Sequence, residues 1–178
     1  MIEVEVKARA REDTAEKIRA LGAVLVAVEN HHDLYFNSPQ RDFKKTDEAL
    51  RIRIKEEGPR LTYKGPKLDG ETKSRKELTV KIDDLVQMRG ILESLGFVLS
   101  AEVKKRRTKY SYGRAIFALD EVEGLGSFLE IEAQIDAQGN DDFAAQKDLV
   151  QSLLRKLDLG ESIRSSYLEL LEDKLRNR

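Results

Sequence analysis

The chain has 178 residues, 40% of them hydrophobic and 37% charged, which is enough apolar matter to bury a core and too much to be a disordered tail. Lys and Arg number 32 against 33 Asp and Glu, so the formal net charge of -1 excludes the basic excess of a dedicated nucleic-acid binder. The absence of cysteine excludes disulfides, thiolate catalysis and Cys-ligated zinc.

No leader-like segment opens the sequence, and no apolar run approaches the roughly 20 residues of a membrane-spanning helix. The expectation is a single domain over residues 1–178, soluble and cytoplasmic, with neither a membrane nor a nucleic acid as partner.

Ile2 to Arg9 alternates apolar and charged residues as a strand does, with Glu3, Glu5, Lys7 and Arg9 on one face and Ile2, Val4, Val6 and Ala8 on the other. Two neighbouring carboxylates repel unless a positive group lies between them, and a hard divalent cation with oxygen ligands suits that position. Asp13 to Leu21 reads as a helix capped by Asp13 or Thr14 and stopped by Gly22. Val24 to Phe36 reads as extended, followed by a loop through Asn37, Ser38 and Pro39.

Strands are then predicted over Leu50 to Lys55 and Leu61 to Lys64, joined by a turn at Glu57-Gly58-Pro59, and over Lys73 to Ile82. Asp83 or Asp84 caps a second helix with Leu85, Met88, Leu92 and Leu95 at helical spacing, ending at Gly96. Three strands are expected at about Val98 to Tyr112, Arg114 to Val122 and Ser127 to Ile135. The remainder reads as helical, with one stripe of Phe143, Val150, Leu153, Leu154 and Leu157 and another of Ile163, Tyr167, Leu170 and Leu171.

Charge alternation recurs strand after strand, and the charges are sorted. Acids dominate the first and last strands, whereas Arg51, Arg53, Lys55, Lys64, Lys73, Arg75, Lys105, Arg107 and Lys109 crowd the middle ones. Solvated faces normally mix signs. A closed antiparallel barrel of about eight strands, charged faces inward and apolar faces outward against helices, accounts for the sorting and gives an α+β fold. So many enclosed charges need compensation, because desolvation costs several kcal/mol per ion. Ion pairs supply part of it, and a triphosphate with divalent metal supplies the rest.

Glu3-Val4-Glu5-Val6-Lys7 resembles the ExExK signature of the CYTH family, the triphosphate tunnel metalloenzymes. The likeness continues through Asp33-Leu34-Tyr35-Phe36, Leu50-Arg51-Ile52-Arg53, Leu61-Thr62-Tyr63-Lys64, Arg75, Glu77, Lys105-Arg106-Arg107, Asp120, Phe128-Leu129-Glu130-Ile131-Glu132 and Ser166-Tyr167. The resemblance implies an eight-stranded antiparallel tunnel with outer helices. It implies Glu3, Glu5 and Glu132 as ligands of Mg²⁺ or Mn²⁺, with Glu130 and Asp120 supporting or sharing that work. Lys7, Arg51, Arg53, Lys64, Lys105 and Arg107 are implied as phosphate ligands, and Arg75 as a further one.

Among these, Glu3, Glu5, Lys7, Arg53 and Glu132 are the expected catalytic set. Glu77 is expected to orient a tunnel base. Lys55, Lys73, Arg106 and Lys109 are read as solvated, His31 and His32 as surface or strand-end residues, Gly124-Leu125-Gly126 as a tight turn, and Tyr167 as helix packing.

The length and the run Ser38 to Phe43 look most like the class IV adenylyl cyclases, which convert ATP to 3′,5′-cyclic AMP and pyrophosphate. The alternatives are hydrolysis of tripolyphosphate or thiamine triphosphate, and a non-catalytic nucleotide or polyphosphate sensor. A nucleoside triphosphate or another triphosphate is the expected substrate, and the cyclase branch suggests a homodimer.

Overall fold

The computed structural model describes residues 2–133 and 142–177. In chain order the elements are β1 (Ile2–Glu3), β2 (Glu5–Arg9), α1 (Thr14–Ala20), β3 (Val24–Asn37), α2 (Phe43–Thr46), β4 (Ala49–Ile54), β5 (Arg60–Lys67) and β6 (Arg75–Lys81). There follow α3 (Leu85–Ser94), β7 (Val98–Tyr112), β8 (Ala115–Val122), β9 (Gly126–Ala133), α4 (Phe143–Leu157) and α5 (Tyr167–Arg176). Gln134 and Ile135, expected to extend the last strand, lie outside the described residues.

The strands form one antiparallel sheet of nine in the order β1-β6-β5-β4-β3-β7-β8-β9-β2. The expected first strand is broken at Val4, and that break explains nine strands in place of eight. Its first piece pairs with β6, setting Glu3 opposite Arg75, and its second with β9, setting Glu5 opposite Glu132. The amide of Lys73 donates to the carbonyl of Glu5 at 3.0 Å, so the segment before β6 also reaches β2. One short stretch of chain thus occupies both sheet edges, and the sheet becomes a nearly closed barrel. The seam falls between the two glutamates of the opening motif.

Apolar side chains face out and are covered by helices. Val4, Val6, Ala8, Phe117, Leu129 and Ile131 pack with Ile18 of α1 and with Val150, Leu153, Leu154 and Leu157 of α4. Each such side chain contributes about 1.5–3 kcal/mol on burial. Leu34, Ile52 and Ile82 pack with Leu92 of α3, flanked by Leu85 and Met88. Leu95 was expected on that stripe; instead it forms the C-cap and is exposed, because the chain reverses there into Gly96 at φ 89°. α5 packs near one end of the barrel, its Tyr167 joining Phe128, Val103 and Tyr35.

Cap chemistry fixes the helix starts. Asp84 accepts from the Gln87 amide and Asp142 from the Ala144 amide, while Ser166 and Glu169 form a capping box. At α1, Asp13 makes no side-chain cap bond, and the Thr14 hydroxyl accepts from the Arg11 amide at 2.7 Å. The short α2 was not expected; Asp42 starts it and Asp47, at φ 55°, ends it. Among the described residues, no helix is long and apolar enough to cross a membrane.

Candidate active site

With apolar side chains turned outward, strand periodicity sends the charged ones inward. They line a cavity of about 600 Å³ that runs through the barrel. Glu3, Glu5, Lys7, Arg51, Arg53, Lys64, Arg75, Lys105, Arg107, Glu130 and Glu132 all border it. Phe43 and Leu168 lie toward one end among Asp42, Lys44, Asp47, Glu48 and Glu169, and Val26, Glu29, Lys55, Lys109 and Ile116 lie toward the other.

The charges are interlocked. Arg53 donates to both oxygens of Asp33 at 2.7 Å, and Arg51 lies 3.9 Å from the same carboxylate. Burial opposes ionisation of Asp33, yet the Arg53 and Arg51 charges hold it far below the usual carboxylate range. Arg51 keeps a buried Nε with no hydrogen-bond partner. Lys64 bridges Glu3 at 2.5 Å and Glu77 at 3.0 Å, so Glu77 does orient a tunnel base.

Lys7 is completely buried, with Nζ donating to the Ser165 carbonyl at 2.9 Å and lying 3.7 Å from the centre of the Tyr167 ring. Burial and the Lys73 charge lower its pKa well below the usual value, against Glu130 and Glu5. Arg75 reaches Asp47 at 3.4 Å.

Three expectations change. Lys73 is not solvated: it is buried, 2.5 Å from Glu5 and 3.1 Å from Glu130, because it shares a face with Arg75 and Glu77 and that face turns inward. Lys55 and Lys109 also border the cavity, paired with Glu57 and Glu29, whereas Arg106 is outside and exposed as expected. His31 is likewise buried in the cavity wall, 2.6 Å from Glu29, while His32 faces out toward Glu102.

Asp120 is the third. It is fully buried and is not a cavity-lining residue. Arg107 donates to both its oxygens at 2.7 and 2.6 Å, Lys105 adds a bond at 2.9 Å, and the Tyr167 hydroxyl adds one at 2.8 Å. Burial opposes its ionisation, but Arg107 and Lys105 hold it at about 2. Its oxygens are engaged by these donors in this structure, an arrangement that suits the supporting part of its expected role. Arg107 goes on to contact Glu130, and Tyr167 anchors this network beyond mere packing.

The donor chemistry at the seam suits a hard divalent cation. Burial and the Glu3 and Glu5 carboxylates raise the Glu132 carboxyl to about 7, a mutual repulsion that a cation would relieve. Among the described residues, no three His, Asp or Glu side chains already stand together as a cage. Glu3 and Glu5 rest instead on Lys64 and Lys73.

A model of the CYTH domain family matches residues 1–166 of the chain. The chain belongs to the CYTH family. Enzymes of this family act on triphosphates and depend on divalent metal. A Methanocaldococcus jannaschii protein named "Putative adenylate cyclase MJ0240" is 39% identical over 174 residues, spanning 96% of this chain and 98% of that one.

Among solved structures, the PH1819 protein of Pyrococcus horikoshii has a TM-score of 0.88 at 42% identity, covering 97% of this CYTH chain and 99% of its own. A Hippeastrum protein shares the fold at a TM-score of 0.70 and 20% identity, over 97% of this chain and 96% of its own. Its structure is described as that of a putative adenylyl cyclase with a dominant triphosphatase activity.

Proposed function

We propose that the protein is a metal-dependent adenylyl cyclase of the class IV type, taking ATP to 3′,5′-cyclic AMP and pyrophosphate. The observation that carries the triphosphate part of this reading is the composition of the bore: bases on β4, β5, β6 and β7 confront carboxylates on β1, β2 and β9 within one cavity of about 600 Å³. That volume lies in the range of about 300–1,000 Å³ typical of small-molecule sites. Phe43 and Leu168, at an otherwise charged end of the cavity, offer apolar contact to an organic group beyond the phosphates. The relative named "Putative adenylate cyclase MJ0240" matches over nearly its whole length, which supports the choice.

In this reading Arg51, Arg53, Lys64, Arg75, Lys105 and Arg107 hold the phosphate chain, the arginines by paired donors and the lysines as point charges. Glu3, Glu5 and Glu132 hold Mg²⁺ or Mn²⁺, with Glu130 keeping Lys73 and Arg107 in place. The metal, when bound, polarises phosphoryl oxygens and lowers the pKa of a nucleophile. The ribose 3′-oxygen attacks the α-phosphorus and the bond to pyrophosphate breaks, its charge taken by the basic wall.

Hydrolysis of a triphosphate is the second reading, since the same groups serve a water attacking the terminal phosphorus with orthophosphate leaving. The activity described for the Hippeastrum protein favours keeping it. Incubation with ATP, tripolyphosphate and thiamine triphosphate in Mg²⁺ or Mn²⁺ separates them. Cyclic AMP with pyrophosphate supports the cyclase, orthophosphate replaces it with the hydrolase, and binding without turnover leaves the sensor.

Arg53→Ala tests the phosphate wall. Loss of charge-assisted bonds worth about 1.5–3 kcal/mol should weaken tripolyphosphate binding roughly 10- to 100-fold. Isothermal calorimetry checks it, and unchanged affinity would remove Arg53 from the wall. The melting temperature should fall as well, because Asp33 keeps only Arg51.

A further inference from the structure

The wall carries an imidazole that the phosphate-binding roles above leave unused. The sheet register sets His31 directly opposite Lys105 on β7, and the pairing of His32 with Ile54 brings His31 to the end of β4, next to Lys55 just beyond it. The ring is 5% exposed and borders the cavity. Its Nε2 lies 2.6 Å from Glu29, which Lys109 also contacts at 2.6 Å. Burial opposes ionisation of Glu29, but the bonds from Lys109 and His31 hold it at about 2, so it accepts and Nε2 carries the proton. Nδ1 is buried with no hydrogen-bond partner. An orphaned buried nitrogen is costly and calls for an explanation.

The charges facing the ring supply one. Glu29 and Asp33 face it from its own strand, Arg53 from β4 and Lys55 from just beyond it, and Lys105 and Arg107 from β7; Asp33 is already engaged by Arg53. Burial and the Arg53 charge, with Lys105 and Arg107, push the ring down to about 3 against the pull of Glu29, so it is neutral. A further lysine here would add charge to a wall already crowded with it. A neutral histidine adds none until an anion arrives. Fully ionised phosphates offer no proton to a bare Nδ1, but they reverse the field around it and favour the imidazolium, whose Nδ1–H is a donor.

We infer that His31 is a further phosphate ligand of the tunnel, neutral in the free protein, which takes up a proton as a triphosphate enters and donates from Nδ1 to a phosphate oxygen. The inference rests on the reading that a triphosphate occupies the bore, and it holds for cyclase and hydrolase alike. Glu29 fixes the ring so that Nδ1, and not Nε2, meets the ligand.

The chain has two histidines, so long-range ¹H–¹⁵N spectra of histidine-labelled protein resolve both rings, and a His32→Gln variant assigns them. The probe is inorganic tripolyphosphate near neutral pH with EDTA present. The free protein should show His31 with one bare and one protonated nitrogen, and saturation should show both protonated. Calorimetry in buffers of different ionisation enthalpy should give a proton uptake larger in the native protein than in His31→Gln by on the order of one proton per site.

Glutamine keeps an N–H toward Glu29 and has no titrating nitrogen, and its affinity should fall about tenfold, the loss of one such bond. A bare Nδ1 in the saturated complex, or equal uptake in the two proteins, overturns the inference while the tunnel stands. Failure of tripolyphosphate to bind overturns both. If His31→Gln does not fold, the spectra of the native protein decide alone.

Discussion

Glu5→Ala is expected to lower turnover by about 10²- to 10³-fold, the size of effect seen when one electrostatic contact to a developing charge is lost, and to leave the fold intact. Glu5 and Glu132 face each other in register across β2 and β9. Side chains so placed have Cβ atoms about 4.5–5.5 Å apart, and like charges there are destabilising by up to about 1 kcal/mol. Alanine removes that repulsion. The lysine it abandons, Lys73, keeps Glu130 at 3.1 Å.

Stability should therefore hold or rise slightly while activity collapses, which is the signature of a residue kept for chemistry at some expense of the fold. Thermal melts and product assays on the same preparation measure both. The rise in melting temperature that Mg²⁺ or Mn²⁺ gives the native protein should shrink in the variant. Native turnover by Glu5→Ala would remove the carboxylate seam from the reaction.

The barrel was legible because its signal was redundant. Alternation of period two in Ile2 to Arg9 says only that one face is charged. The sorting of acids to the terminal strands and bases to the middle ones says that those faces meet. What could not be read was the place of the seam: Val4 continues the alternation without interruption, and only pairing with two different partners breaks the strand there.

Lys73 was legible in principle, since parity with Arg75 and Glu77 puts it on the inner face. His31 lacked a local signal altogether. Its partner Glu29 is two residues away, an ordinary same-face spacing, and its other neighbours, Lys55 and Lys105, come from strands distant in sequence. Asp120 shows the converse. The family resemblance implies a part for it beside the metal, and its partners Arg107, Lys105 and Tyr167, supplied by β7 and α5, carry no mark of that pairing in the local sequence.

That distinction makes Asp120→Asn the second large effect. The amide replaces an acceptor of four hydrogen bonds by a group with one acceptor oxygen and an NH₂ that must face Lys105, Arg107 or the Tyr167 hydroxyl, all donors. Breaking a buried ion pair on one side costs about 3–5 kcal/mol. For a domain of this size each kcal/mol lowers the melting temperature by about 2–4 °C, so a fall of about 6–20 °C is expected by calorimetry.

Tripolyphosphate should recover more of that loss than it adds to the native protein, since Lys105 and Arg107 have lost a counter-charge that phosphate oxygens can replace. Divalent metal alone should recover none of it. Near-native stability combined with a weakened response to metal would return Asp120 to the metal site, and would mean that the bases around it are held by something other than its carboxylate.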